Sequence, residues 1–144
     1  MLKASNAVHH ALIEISGGRF GWELASMPVL RLTTIGRRSG RPRSVILTSP
    51  LRDGDAIVVV ASKGGADHHP AWYLNLLANP EVVVETRYQG SQTRWARVAT
   101  ADERARLWPL VTERFSDYGS YQDRTDREIP LVLLEPLTRR RSPG

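Results

Sequence analysis

A chain of 144 residues with 41% hydrophobic side chains is long enough for one packed core, too short for two, and too apolar to stay unfolded. It contains no cysteine, which excludes disulfides, thiolate metal sites and thiol nucleophiles together. The net charge of +5 favours anionic partners, and the longest apolar run, Ala56–Ala61, falls far short of the roughly 20 residues of a membrane-spanning helix.

In chain order, residues 5–16 read as a short helix, capped by Ser5 and with Val8, Leu12 and Ile15 at near-helical spacing, ending at Gly17-Gly18. Val29–Thr34 is a strand, Gly36–Pro42 a turn and Ser44–Ser49 the returning strand. Asp53-Gly54 marks a hairpin turn before the buried-strand run Ala56–Ala61. After the loop Ser62–His69, Pro70 suits the first turn of a helix over Ala71–Ala78, which Asn79-Pro80 closes. Glu81–Arg87 and Thr93–Ala99 are strands joined at Gln89-Gly90. Thr100 and Glu103 form a capping box for a helix running to about Phe115, with Leu107 and Val111 on its apolar face. Leu131–Leu134 is the last strand. The total is roughly six strands and three helices, with strands arriving as hairpins, which predicts an antiparallel barrel or sheet of α+β class rather than a doubly wound fold. Residues 1–137 are read as one domain with an N-terminal helix, and 138–144, containing Arg139-Arg140-Arg141, as a basic disordered tail.

Two segments suit an anion. The turn Gly36-Arg37-Arg38-Ser39-Gly40-Arg41-Pro42-Arg43 offers guanidinium forks and two glycines that let backbone N–H groups approach a ligand. Ser62-Lys63-Gly64-Gly65 follows directly on a buried strand and has the composition of a phosphate cradle. Neither matches a Walker or a Rossmann fingerprint. A solvated hairpin tip or a nucleic-acid contact is the competing reading of the arginine turn, although the aromatics interleaved on a strand face that single-strand binders use are missing. Histidine occurs only as the pairs His9-His10 and His68-His69, without metal-ligand spacing, so no metal is expected and the second pair is read as framing its loop or capping the helix at Pro70. Trp72, Tyr73 and Asn75 fall on the short helix, while Tyr118 and Tyr121 lie in a Gly/Ser/Asp-containing segment read as a loop, where binding residues concentrate. No G-x-S-x-G elbow supports a nucleophilic triad.

These motifs occur in a telling order. Leu32-Thr33-Thr34-Ile35-Gly36-Arg37-Arg38-Ser39-Gly40, Ala61-Ser62-Lys63-Gly64-Gly65-Ala66-Asp67, Pro70-Ala71-Trp72-Tyr73-Leu74-Asn75-Leu76, Ala78-Asn79-Pro80, Tyr121-Gln122-Asp123, Thr125-Asp126-Arg127 and Ile129-Pro130, with Gly17-Gly18-Arg19, resemble the deazaflavin-dependent nitroreductase family. These are actinobacterial oxidoreductases that use coenzyme F420. The resemblance implies an antiparallel split β-barrel of the FMN-binding type and hydride transfer from reduced F420 to a quinone, enone or nitroaromatic. It implies that Arg37, Arg38 and Ser39 contact the phosphate or glutamate tail, and that Ser62, Lys63, Gly64 and Gly65, with Pro70, Ala71, Trp72 and Asn75, surround phosphate and ring. Tyr118 and Tyr121 then face the acceptor and, with Ser62, are the candidates for catalysis. Arg124, Phe115 and Ala71 depart from an aromatic residue, a tyrosine and a methionine of relatives, which alters the acceptor wall more than the cradle and predicts poor reduction of bicyclic nitroimidazoles. A cofactor-storing module without turnover and an FMN oxidoreductase of the same barrel type are the alternatives. The expected partner is a small-molecule electron acceptor, not nucleic acid. The expected location is cytoplasmic, as monomer or dimer, with any membrane contact confined to the N-terminal helix.

Overall fold

Seven strands, rather than six, make the body of the protein in the computed structural model, which describes residues 28–137. They are β1 (Val29–Ile35), β2 (Pro42–Thr48), β3 (Leu51–Asp53), β4 (Ala56–Val60), β5 (Glu81–Thr86), β6 (Gly90–Val98) and β7 (Leu131–Pro136). The helices are α1 (Ala71–Ala78), α2 (Ala101–Arg114) and α3 (Asp117–Asp123), with a single 3-10 turn at Lys63–Gly65. The helix expected over residues 5–16, the Gly17-Gly18-Arg19 segment and the basic tail lie outside the described residues.

All pairings are antiparallel, in the order β2-β1-β5-β6-β7-β4-β3, so the hairpin-based reading of the fold holds. β3 escaped the sequence reading because three residues are too few to display an alternating pattern. It is held by the hairpin at Asp53-Gly54, where Gly54 takes φ +61°, and by three pairs from Leu51↔Val58 to Asp53↔Ala56.

The apolar runs of β4 and β7 follow from burial on both faces. Ile57, Val59, Val132 and Leu134 point into a core shared with Leu30, Leu32, Val84 and the α1 residues Trp72 and Leu76. Ala56, Val58, Val60, Leu131 and Leu133 point the other way, onto Leu107 and Val111 of α2 and Tyr118 of α3. A strand with helices on both sides reads as a continuous hydrophobic run, whereas β1 and β5, with one face out, alternate. The Thr100–Glu103 capping box is formed, with Glu103 N–H donating to Thr100 Oγ1 and Thr100 N–H to Glu103 Oε1.

The segment carrying Tyr118 and Tyr121, read as a loop, is the helix α3. Its Ser, Gly and Asp content is poor for a helix, but packing overrides propensity. Tyr118 is buried against Phe115 and Tyr121, at ring-centroid distances of 5.8 and 6.0 Å, and its hydroxyl bonds Thr48 Oγ1 at 3.0 Å.

Candidate functional site

β1 delivers the arginine turn to the N-terminal half of α1, and a buried asparagine joins them. Asn75 is 4% exposed; its Oδ1 accepts from the Arg37 backbone N–H at 3.1 Å and from Arg37 Nη1 at 2.9 Å. Its Nδ2 donates at 3.2 Å to Thr34 Oγ1, which is fully buried at the end of β1. Asn75 thus satisfies strand, turn and itself at once, as a buried amide must. The turn is also closed internally: Gly36 N–H donates to Arg41 O, Gly40 N–H to Gly36 O, and Arg41 N–H to Ser39 Oγ. The N–H groups of both glycines are therefore spent inside the turn, while the Arg38, Arg41 and Arg43 side chains are exposed.

The Ser62–Gly65 loop leaves β4 through three successive positive φ angles: Lys63 at +47°, Gly64 at +63° and Gly65 at +86°. The glycines accommodate this freely, whereas a left-handed lysine costs about 1–2 kcal/mol. Gly65 has a second reason to lack a side chain, since a Cβ there would lie 2.6 Å from the Tyr121 carbonyl oxygen of α3. Gly65 N–H donates to Ser62 O and Ala66 N–H to Lys63 O, which tightens the turn. Ser62 is buried but does not cap the turn with its hydroxyl. Lys63 Nζ approaches His68 Nδ1 at 3.1 Å.

Arg127, from the segment between α3 and β7, closes the site from behind. It donates to Ala66 O at 2.7 Å, Ser62 O at 2.8 Å and Ala61 O at 3.3 Å, and its Nη1 lies 3.1 Å from His69 Nδ1. Guanidinium has no acceptor, so His69 Nδ1 is the bare nitrogen and the proton sits on Nε2. Burial first, and the Arg127 charge second, push the His69 pKa below its ordinary value of 6.5, so the ring is neutral at pH 7. It stacks at 4.6 Å on Tyr73. His68 and His69 thus contact the loop through Lys63 and Arg127, and among the described residues no side chain caps α1.

Two adjoining cavities result. One of about 560 Å³ lies between Arg37, Lys63, His69, Leu74 and Arg127, and among the described residues Asp67 is the only carboxylate on its wall. The other, of about 270 Å³, is bounded by Arg37, Arg38, Ser39, Arg43, Trp72 and Asn75, with no carboxylate among the described residues. Arg37 and Ala71 line both. The structure thus brings together Arg37, Arg38, Ser39, Lys63, Ala71, Trp72 and Asn75. Ser62, Gly64 and Gly65 form the supporting turn, and Pro70 is the buried N-cap of α1. Tyr118 and Tyr121 line neither cavity, although Tyr121 backs Gly65. A larger cavity of about 960 Å³ beside Val29, Ser49 and Arg114 contains none of the residues singled out in the sequence. Sequence reasoning missed Arg127 and Thr34: a lone arginine among acids reads as a solvated charge, and a threonine in a strand as ordinary β-propensity.

A wall carrying Arg37, Lys63 and Arg127 against one carboxylate suits a phosphate- and carboxylate-bearing ligand, beside an indole and an alanine that leave room for a planar ring. The family model for F420H(2)-dependent quinone reductase matches residues 6–136. The chain belongs to that family. An F420H(2)-dependent quinone reductase of Mycobacterium tuberculosis is 40% identical over 130 residues, covering 88% of this chain and 87% of the relative. A solved F420-H2 dependent reductase superposes with a TM-score of 0.66 at 39% identity, over 75% of this chain and 94% of that one. A domain-swapped dimer superposes with a TM-score of 0.68 at 35% identity, over 92% and 99%. The F420H(2)-dependent reductase family and its split barrel are thus those that the ordered motifs resemble, and among the described residues no helix is long and apolar enough to cross a membrane.

Proposed function

We propose that this chain is an F420H2-dependent reductase that passes a hydride to a quinone or a chemically similar electrophile. One observation carries the reading: Arg37, Lys63 and Arg127 converge on a cavity with a single opposing carboxylate among the described residues, in a chain of this family. Arg37 and Lys63 hold the cofactor phosphate, and Arg38 and Ser39 the glutamate tail, through charge-assisted hydrogen bonds. Pro70, Ala71 and Trp72 flank the ring, while Asn75 keeps Arg37 aimed. When bound there, the cofactor would supply a hydride, and with one proton that would take a quinone to its hydroquinone, two electrons in all. The chain's own contribution is to bind, orient and exclude water, so no catalytic triad is required of it.

On the acceptor side, Tyr121 is the half-buried member of the tyrosine pair and the buried Tyr118, its hydroxyl spent on Thr48, is the wall behind it. Ser62, held by its carbonyl rather than its hydroxyl, keeps the hydroxyl for the ligand. The test is direct: purified protein is titrated with F420, and oxidation of F420H2 by menadione is followed by the return of cofactor absorbance. Binding with acceptor-dependent oxidation is the expected result. Absence of either sinks the reading, and tight binding without turnover across a quinone and nitroaromatic panel would point to a cofactor-storing module.

A further inference from the structure

Arg127 has a constellation that anion binding alone does not account for. Its guanidinium spans both ends of the left-handed turn, with Ala61 O and Ser62 O before Lys63 and Ala66 O after it, and takes His69 Nδ1 as a fourth partner. None of these hydrogen-bond partners is a carboxylate, and the charge is opposed only at a distance, by Asp67 on the same cavity wall among the described residues. The arginine is itself held in place: its N–H donates to Thr125 Oγ1 at 3.3 Å, and its carbonyl accepts from Gln122 Nε2 at 2.7 Å. Gln122 in turn receives Ile129 N–H at 2.9 Å and Arg104 Nη2 at 3.1 Å on its Oε1. A rigid chain of hydrogen bonds therefore runs from α2 through α3 to a turn whose central lysine occupies a disfavoured backbone region. Such conformations persist where the surroundings over-determine them.

We propose that Arg127 is the positioning residue of the cradle: it clamps the Ser62–Ala66 turn in the left-handed form that directs Lys63 toward the ligand. The fork is what the clamp requires. Donors pointing in several fixed directions reach acceptors on four different residues, and a lysine ammonium at the same place keeps the charge but cannot span them. The effect on cofactor affinity rests on the F420 reading above, while the clamp itself does not.

The experiment compares wild type with Arg127→Lys, Arg127→Ala and Arg104→Ala, the last loosening the same segment without touching the turn. Two quantities are measured: backbone hydrogen exchange of Gly65 and Ala66 in ligand-free protein, and F420 affinity with the KM values for F420H2 and menadione. In Arg127→Lys, exchange at both amides is expected to accelerate roughly tenfold. F420 affinity is expected to fall by a similar factor, with the KM for F420H2 raised, kcat at saturating cofactor retained and the menadione KM unchanged. Arg104→Ala, which removes only the far end of the chain that holds Arg127, should accelerate exchange at the turn less than Arg127→Lys does. Wild-type exchange or wild-type F420 affinity in Arg127→Lys overturns the proposal, and Arg127→Lys decides the matter if Arg127→Ala does not fold. Faster exchange in a protein whose wild type binds no F420 would leave the clamp standing and refute the cofactor reading instead.

Discussion

Lys63 belongs to the turn that ends at Gly65, Tyr121 abuts that glycine from α3, and the two are expected to do different work. Lys63 stands on the anion cavity, so Lys63→Ala should weaken F420 binding by about 1.5–3 kcal/mol, the range for a charge-assisted hydrogen bond. Tyr121→Ala should change kcat/KM for quinones and leave F420 affinity nearly intact; matched losses of affinity in the two variants would dissolve the division into cradle and acceptor wall. Asn75 permits a finer test. In Asn75→Asp the carboxylate still accepts from Arg37, and Thr34 Oγ1 can turn from acceptor to donor, so every buried group keeps a partner. The new charge, however, pairs with Arg37 and subtracts from the field offered to the ligand. The expected outcome is a folded protein with a lower F420 affinity, read by thermal melting and titration together. In Asn75→Ala the Thr34 hydroxyl is left buried without its donor and Arg37 loses its anchor, so stability should fall as well, by about 1–3 kcal/mol.

At the scale of elements, α2 is anchored by charge as much as by its apolar face. Arg97 on β6 forms two hydrogen bonds to Glu103, at 2.7 and 2.8 Å, and also reaches Glu135 of β7 at 3.2 Å. The Arg97 hydrogen bonds, assisted by the Thr100 N–H, outweigh desolvation and hold the Glu103 pKa down to about 2, from an ordinary 4.5. A carboxylate whose pKa is depressed on folding stabilises the protein above its unfolded value and loses that contribution as the proton returns. Unfolding free energy should therefore decline as pH falls from 4.5 toward 2, and Glu103→Gln should flatten that part of the profile. Thr100→Ala, which removes the reciprocal half of the capping box, should cost about 0.5–2 kcal/mol in chemical denaturation. α3 shows the other way to hold a helix. Its seven residues have little intrinsic tendency to form one, and Tyr118, sealed into the second core, holds the segment in place.

Over the whole molecule, charge is distributed by function. The basic turn lies between β1 and β2, where Arg38, Arg41 and Arg43 are exposed, while Arg97, Arg104 and Arg106 pair with acids around α2. Cofactor affinity that depends on exposed arginines is screened by salt, so the Kd for F420 should rise several-fold between about 0.05 and 0.5 M salt. A salt-independent Kd would place the binding energy in the ring pocket instead. The sheet ends at β2 and β3, and neither edge invites indiscriminate pairing. β2 begins with Pro42 and Arg43, and β3 is three residues long.

The antiparallel sheet, the α1 and α2 helices and the capping box were legible in residue order, because each depends on local signals. Alternation marks a one-sided strand, a continuous apolar run a two-sided one, Asp-Gly a hairpin, and Thr-x-x-Glu a helix start. The ordered motifs extended that reading to the family. What only the tertiary structure decided depends on partners far apart in the chain. Arg127 reaches Ser62 across 65 residues, Asn75 reaches Thr34 across 41, and Tyr118 reaches Thr48 across 70. No local pattern records such contacts, since a side chain's role there is set by which backbone carbonyl or hydroxyl the fold places against it. For that reason the sequence could nominate Lys63 as the cation of the cradle, and only the folded chain reveals Arg127 as the group that keeps it there.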